Sequence, residues 1–133
     1  MKIFIDTSAF AALYNSNDQY HLNAVDIWEY ISSEKFALYT SNYIISETIT
    51  LLRSRVNFHV SVLVGNAMFQ SKTLNTIYIT EKLQFFAWKM YKKYQDKDLS
   101  FVDYTSFCCI KEFNIMKAFA FDRHFKQLGY ETL

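Results

Sequence analysis

The sequence predicts an α/β fold, a parallel sheet flanked on both sides by helices, and three observations carry that prediction. Short apolar runs such as Ile3-Phe4-Ile5 and Ala118-Phe119-Ala120-Phe121 lack the alternation of a half-exposed strand, so they read as strands buried on both faces. Longer stretches with apolar residues at helical spacing separate such runs, and strands alternating with helices imply parallel pairing. Both of these runs also end in a carboxylate, Asp6 and Asp122, at the strand edge where open α/β sheets place their sites.

Taken in order, Lys2 to Ile5 is the first predicted strand, Thr7 to about Tyr14 a short helix, and Asn15-Ser16-Asn17-Asp18 a polar turn. A helix from about Leu22 to Ser32 leads to a short strand, Phe36 to Thr40. Ser41 or Asn42 can cap the next helix, which begins at Tyr43. In it Ile45, Ile49, Leu52 and Val56 form a buried stripe, while Tyr43, Glu47 and Leu51 share another face. Asn57 to about Phe69 is helical, Leu74 to Ile79 a third strand, and Glu81 to about Tyr94 a long helix with a basic end. Ser100 caps a helix running to Phe113 that is apolar nearly all round, which places it deep in the domain. Lys117 to Phe121 is the fourth strand, and Tyr130 to Leu133 an edge strand after Gly129.

At 133 residues, 51% of them apolar, the chain is expected to form one domain, residues 1–133, with a sizeable core. A net charge of +1 argues against a strongly basic nucleic-acid coat. No stretch reads as a signal peptide or a membrane span, so a cytoplasmic, soluble protein without a membrane partner is expected. The adjacent Cys108 and Cys109 suit neither a disulfide framework nor a zinc site and read as core thiols. With Gly 2 and Pro 0, turns fall to Asn, Asp, Ser and Lys.

Four acids stand out: Asp6, Glu47, Asp103 and Asp122. Each has an ordinary explanation, since Asp6 and Asp122 can cap turns, Asp103 can complete a capping box with Ser100, and Glu47 can be an exposed helix acid. Glu47 has Tyr43 and Leu51 at i−4 and i+4, however, and an ionised carboxylate on a buried face needs a partner. Carboxylates gathered at one sheet edge would repel one another unless a hard divalent cation neutralised them. The pattern therefore points to a metal-dependent enzyme. His21, His59 and His124 share no metal-ligand spacing, and no glycine-rich phosphate loop or nucleophile elbow is present. Arg123, with His124 beside it, follows Asp122 and can bring positive charge to a phosphate.

The segments Ile5-Asp6-Thr7-Ser8-Ala9-Phe10, Ser46-Glu47-Thr48, Leu99 to Phe107, and Ala120-Phe121-Asp122-Arg123-His124-Phe125 together resemble a PIN domain of the VapC toxin type, over essentially the whole chain. The resemblance implies a five-stranded parallel sheet of order 3-2-1-4-5 and an endoribonuclease that uses Mg²⁺ or Mn²⁺. The family's acids match Asp6, Glu47, Asp103 and Asp122, and its hydroxyl position near the first acid matches Thr7 or Ser8. It further implies an RNA substrate, a cognate antitoxin occupying the acidic cleft, and a homodimer joined through helix faces. Tyr104 departs mildly from the family pattern, and Asp98 matches the third acid less well than Asp103 does. A noncatalytic PIN-type module that binds RNA or acts as a scaffold is the alternative. A phosphotransferase with Asp6 as nucleophile is disfavoured, because the acid two residues on that such a pattern supplies is missing.

Overall fold

The computed structural model describes residues 1–133, and its five strands form one parallel sheet of order β3-β2-β1-β4-β5. Strand β1 (Lys2–Ile5) leads through α1 (Thr7–Tyr14) and α2 (His21–Ser33) to β2 (Ala37–Ser41). Helices α3 (Asn42–Arg55) and α4 (Phe58–Gln70) carry the chain outward to β3 (Leu74–Ile77). Then α5 (Glu81–Lys93) and α6 (Phe101–Glu112) return it across the sheet to β4 (Lys117–Phe119), and α7 (His124–Gln127) precedes β5 (Glu131–Thr132). The chain thus moves to one side of β1 first and to the other side later, which opens a crevice between the C-terminal ends of β1 and β4.

Local chemistry explains where the helices start and stop. Asp6, Ser41, Asn57, Thr80 and Ser100 each accept a backbone N–H of the first turn of α1, α3, α4, α5 and α6. Three helices end in the same left-handed cap. Lys35 (φ 54°), Asn114 (φ 53°) and Gly129 (φ 86°) follow α2, α6 and α7. The next residues, Phe36, Ile115 and Tyr130, donate back to the carbonyls of Ile31, Ile110 and Phe125. Each of those pairs is apolar, so every cap also feeds the core and aims the chain into the following strand. Lys and Asn thereby do at two turns what glycine does at the third, consistent with a chain so poor in glycine.

The core is built on the middle strands. Ile3, Phe4, Ile5, Ala118 and Phe119 are fully buried, as both-sided coverage of a parallel sheet requires. Every residue of α6 from Asp103 to Ile110 is buried, in agreement with its all-round apolar sequence. Phe107 stacks on Tyr130 at 5.2 Å and meets Phe125 edge-on at 5.1 Å, and Tyr104 lies flat against Tyr94 at 6.2 Å. Cys108 and Cys109 are free, buried thiols, and burial pushes the Cys109 thiol up to about 12.

Several boundaries differ from the sequence expectation. Strand β3 stops at Ile77, because the Ile79 N–H donates to Asn42 Oδ1 instead of joining the ladder. Strand β4 stops at Phe119, since the N–H groups of Phe121 and Asp122 turn to the Ser8 hydroxyl. The edge strand is only Glu131–Thr132, and α7 was not foreseen. In α3 the buried set is Ile44, Ile45, Thr48 and Leu52, with Ile49 and Val56 only half-buried, so the buried face is rotated from the expected stripe.

Candidate active site

Asp6 is the hub of the crevice. It ends β1, caps α1, and is 5% exposed. Its Oδ2 accepts from the Ser8 hydroxyl at 2.7 Å and from the Ser8 N–H at 3.2 Å. Burial pushes this carboxyl up to about 6. The Ser8 hydrogen bonds oppose that rise, and the nearby Asp103 and Glu47 add to it. The Ser8 oxygen also accepts from the Phe121 N–H at 3.0 Å and the Asp122 N–H at 3.4 Å. One hydroxyl thus ties the end of β1 to the turn that carries Asp122. Thr7 is placed differently: its Oγ1 is buried without a hydrogen-bond partner.

Asp103 enters from α6 and is 9% exposed. It forms the capping box that the sequence predicted, with Ser100 N–H donating to Oδ2 at 2.9 Å and Asp103 N–H donating to Ser100 Oγ at 3.1 Å. The capping and site readings of this residue coincide, because a carboxylate oxygen has lone pairs left for the crevice. His124 brings Nδ1 to 2.8 Å from the same Oδ2 and 3.5 Å from Asp122 Oδ1, an ion pair only when the imidazole is protonated. Although the separation is short, the ring N–H direction makes no aligned hydrogen bond, so the contact is one of proximity.

Asp6, Glu47, Asp103 and Asp122 all line one cleft of about 580 Å³, together with Thr7 and Ser8. Glu47 is exposed there rather than on a buried face between Tyr43 and Leu51. The rotation of the α3 buried face turns Glu47 toward the cleft, where water solvates it. Asp122 is likewise exposed. The sequence reading missed Asp18, Tyr20 and Arg55, which also line the cleft. Asp18 and Tyr20 sit in a polar turn with no periodicity to flag them, and Arg55 resembles an ordinary basic helix end. Arg123 lies outside this cleft, in a neighbouring groove, and forms no salt bridge with Asp122 or Asp6.

The four carboxylates and the Thr7 and Ser8 hydroxyls are hard oxygen donors, the type that Mg²⁺ and Mn²⁺ prefer, with His124 the one imidazole in the cleft. The buried, charge-opposed Asp6 is the kind of carboxylate whose ionisation a cation would restore. No three His, Cys, Asp or Glu side chains already close around an ion site.

Comparison with known proteins decides the family. The PIN domain family model matches residues 3–130. The chain belongs to the PIN-domain family. Within it, the chain is 34% identical to the 23S rRNA-specific endonuclease VapC20 of Mycobacterium tuberculosis, over 96% of this chain and 95% of that one. It is 28% identical to a VapC ribonuclease of Archaeoglobus fulgidus, over 94% of this chain and 80% of the relative. The crystal structure of M. tuberculosis VapC20, described as a toxin that cleaves the sarcin-ricin loop, superposes with a TM-score of 0.89 and the same coverage. VapBC2 of Rickettsia felis, at 11% identity and a TM-score of 0.70, shares the fold. This PIN domain is accordingly a VapC-type endoribonuclease, with the 3-2-1-4-5 sheet that the resemblance implied.

Proposed function

We propose that this PIN domain hydrolyses RNA phosphodiester bonds with Mg²⁺ or Mn²⁺ in the cleft around Asp6. The observation that carries this reading is the convergence of Asp6, Glu47, Asp103 and Asp122, from four separate elements, on one polar cleft at the sheet's switch point. A divalent cation bound there supplies Lewis acidity and offsets charge that builds up on the phosphate. Asp6, Asp103 and Asp122 would hold the cation, directly or through water, and Glu47, exposed at the cleft, would orient the attacking water. Ser8 fixes the Asp6 carboxylate through Oδ2 alone, which leaves Oδ1 without a protein hydrogen bond. Buried Thr7 adds a free hydroxyl beside it.

By likeness to VapC20 we assign ribosomal RNA as the substrate class, and a cognate antitoxin as the partner that covers the cleft in the cytoplasm. No helix of the chain is long and apolar enough to cross a membrane. The homodimer would join helix faces, for which α5 offers exposed Phe85, Trp88 and Tyr91. The deciding experiment incubates ribosomal RNA with the wild-type chain and with Asp103→Asn, with and without Mn²⁺. Site-specific cleavage that needs both the metal and Asp103 is expected. RNA binding without metal-dependent cleavage would instead favour the noncatalytic module.

A further inference from the structure

The rim of the acidic cleft carries a feature that the carboxylates do not use. Tyr20 and Phe121 stack face to face, with ring centroids 4.8 Å apart and planes 2° from parallel. Both rings, together with Asp122, line the cleft on one side and a separate groove of about 420 Å³ on the other, so they form the ridge between them. Tyr20 is 39% exposed even with Phe121 against it. Beyond the ridge the groove holds Arg123 and Lys126, both exposed and neither in a salt bridge, with Asn23 and a single acid of its own, Asp26.

The ridge is firmly mounted. Asp18 Oδ1 accepts the Tyr20 N–H at 2.8 Å, Asp18 O accepts the His21 N–H at 3.0 Å, and His21 Nδ1 lies 2.8 Å from Ala12 O. On the other side, Ser8 Oγ accepts the Phe121 N–H. Both aromatic residues are therefore tied to α1, the element that Asp6 caps. A ring pair whose Tyr20 is partly exposed, set beside the acidic cleft and backed by uncommitted cations, has the composition of a single-stranded nucleic-acid track.

Resting on the ribonuclease reading above, we propose that Tyr20 is a base-stacking residue for RNA. A nucleobase next to the scissile phosphate lies on the Tyr20–Phe121 pair, and the following phosphate is received by Arg123 and Lys126. In this arrangement Arg123 acts one nucleotide away from the chemistry, which accounts for its place outside the acidic cleft. The substrate must be unpaired at that base, because a duplex offers no open face for the ring.

The test uses the full-length chain carrying Asp103→Asn, so that RNA survives, and short single-stranded oligoribonucleotides with 2-aminopurine placed at successive positions. Stacking should quench the fluorophore at one position only. Tyr20→Phe should keep the quench, whereas Tyr20→Ala should abolish it and weaken binding about five- to a hundredfold. Arg123→Ala and Lys126→Ala should each flatten the dependence of log affinity on log salt by about 0.7, with the quench retained. In the chain with Asp103 intact, Tyr20→Ala should raise KM much more than it lowers kcat. If Tyr20→Ala, shown to fold by its melting curve, keeps quench, affinity and KM while wild-type cleavage stands, the stacking proposal is overturned and the ribonuclease reading survives. Normal RNA behaviour with lost antitoxin binding would equally overturn it, by making the ridge a protein contact. Absence of both RNA binding and cleavage in the wild-type chain would overturn both readings.

Discussion

Asp6 shows how one residue couples fold and chemistry. Its carboxyl titrates near 6 in the folded chain against 3.8 for an unperturbed aspartate, with desolvation the main cause. Between those values the folded state holds a proton that the unfolded state has lost. The metal-free protein should therefore be most stable, as far as this group is concerned, below about pH 4, and should lose about 3 kcal/mol as the pH rises through 6. Asp6→Asn removes the titration while keeping an oxygen to accept from Ser8. Urea unfolding in chelator should show the variant gaining stability over wild type as pH rises from about 4 to 8, by up to about 3 kcal/mol. A constant difference across that range would sink the assignment. Ser8 makes a second test, because Ser8→Ala leaves the Phe121 and Asp122 N–H groups without their acceptor and frees Asp6. A loss of about 1–3 kcal/mol in stability is expected, together with roughly 10- to 100-fold weaker Mn²⁺ binding by calorimetry. Weakened metal binding with unchanged stability would show that the Ser8 strap matters only to the site.

Elements were legible in the sequence where their chemistry was local. Ser100 with Asp103 three residues on announced the start of α6, and the run from Asp103 to Ile110 announced its depth. Helix α7 was not legible, since four residues complete barely one turn and cannot display a period. Glu47 was placed on a buried face because Tyr43 and Leu51 flank it at i−4 and i+4, and only packing against α1 and α4 selects the true face. Arg123 was placed at the cleft by its nearness to Asp122 in sequence, but neighbouring residues at the start of a turn point apart. The helix ends are legible only in retrospect: Lys35 and Asn114 take left-handed backbone positions that glycine would adopt more easily. Lys35→Gly should thus stabilise the chain by about 1 kcal/mol, provided the strain removed exceeds the entropy added to the unfolded state. Thermal melts would check this, and a lower melting temperature would mean that the unfolded-state term wins.

At the scale of the whole molecule, the carboxylates belong to parts of the chain that nothing local holds together. Asp6 follows β1, Glu47 lies on α3, Asp103 on α6 and Asp122 beyond β4, so their meeting requires the complete sheet with both crossovers in place. A cation shared among them must then bind the folded state far better than the unfolded chain, where the same acids are dispersed. Linkage converts that difference into stability: at about 100 times Kd a single site adds about 2.7 kcal/mol, enough to raise the melting temperature of a chain this size by roughly 10 °C. Titrating Mn²⁺ during thermal unfolding should show this rise in the wild-type chain, growing with the logarithm of concentration, and little of it in Asp6→Asn or Asp103→Asn. The two variants answer different questions, because Asp6→Asn starts from a metal-free protein already relieved of its buried charge, while Asp103→Asn disturbs the capping box of α6. If the metal raised both variants as much as wild type, the ion would be binding elsewhere and the shared-site model would fail.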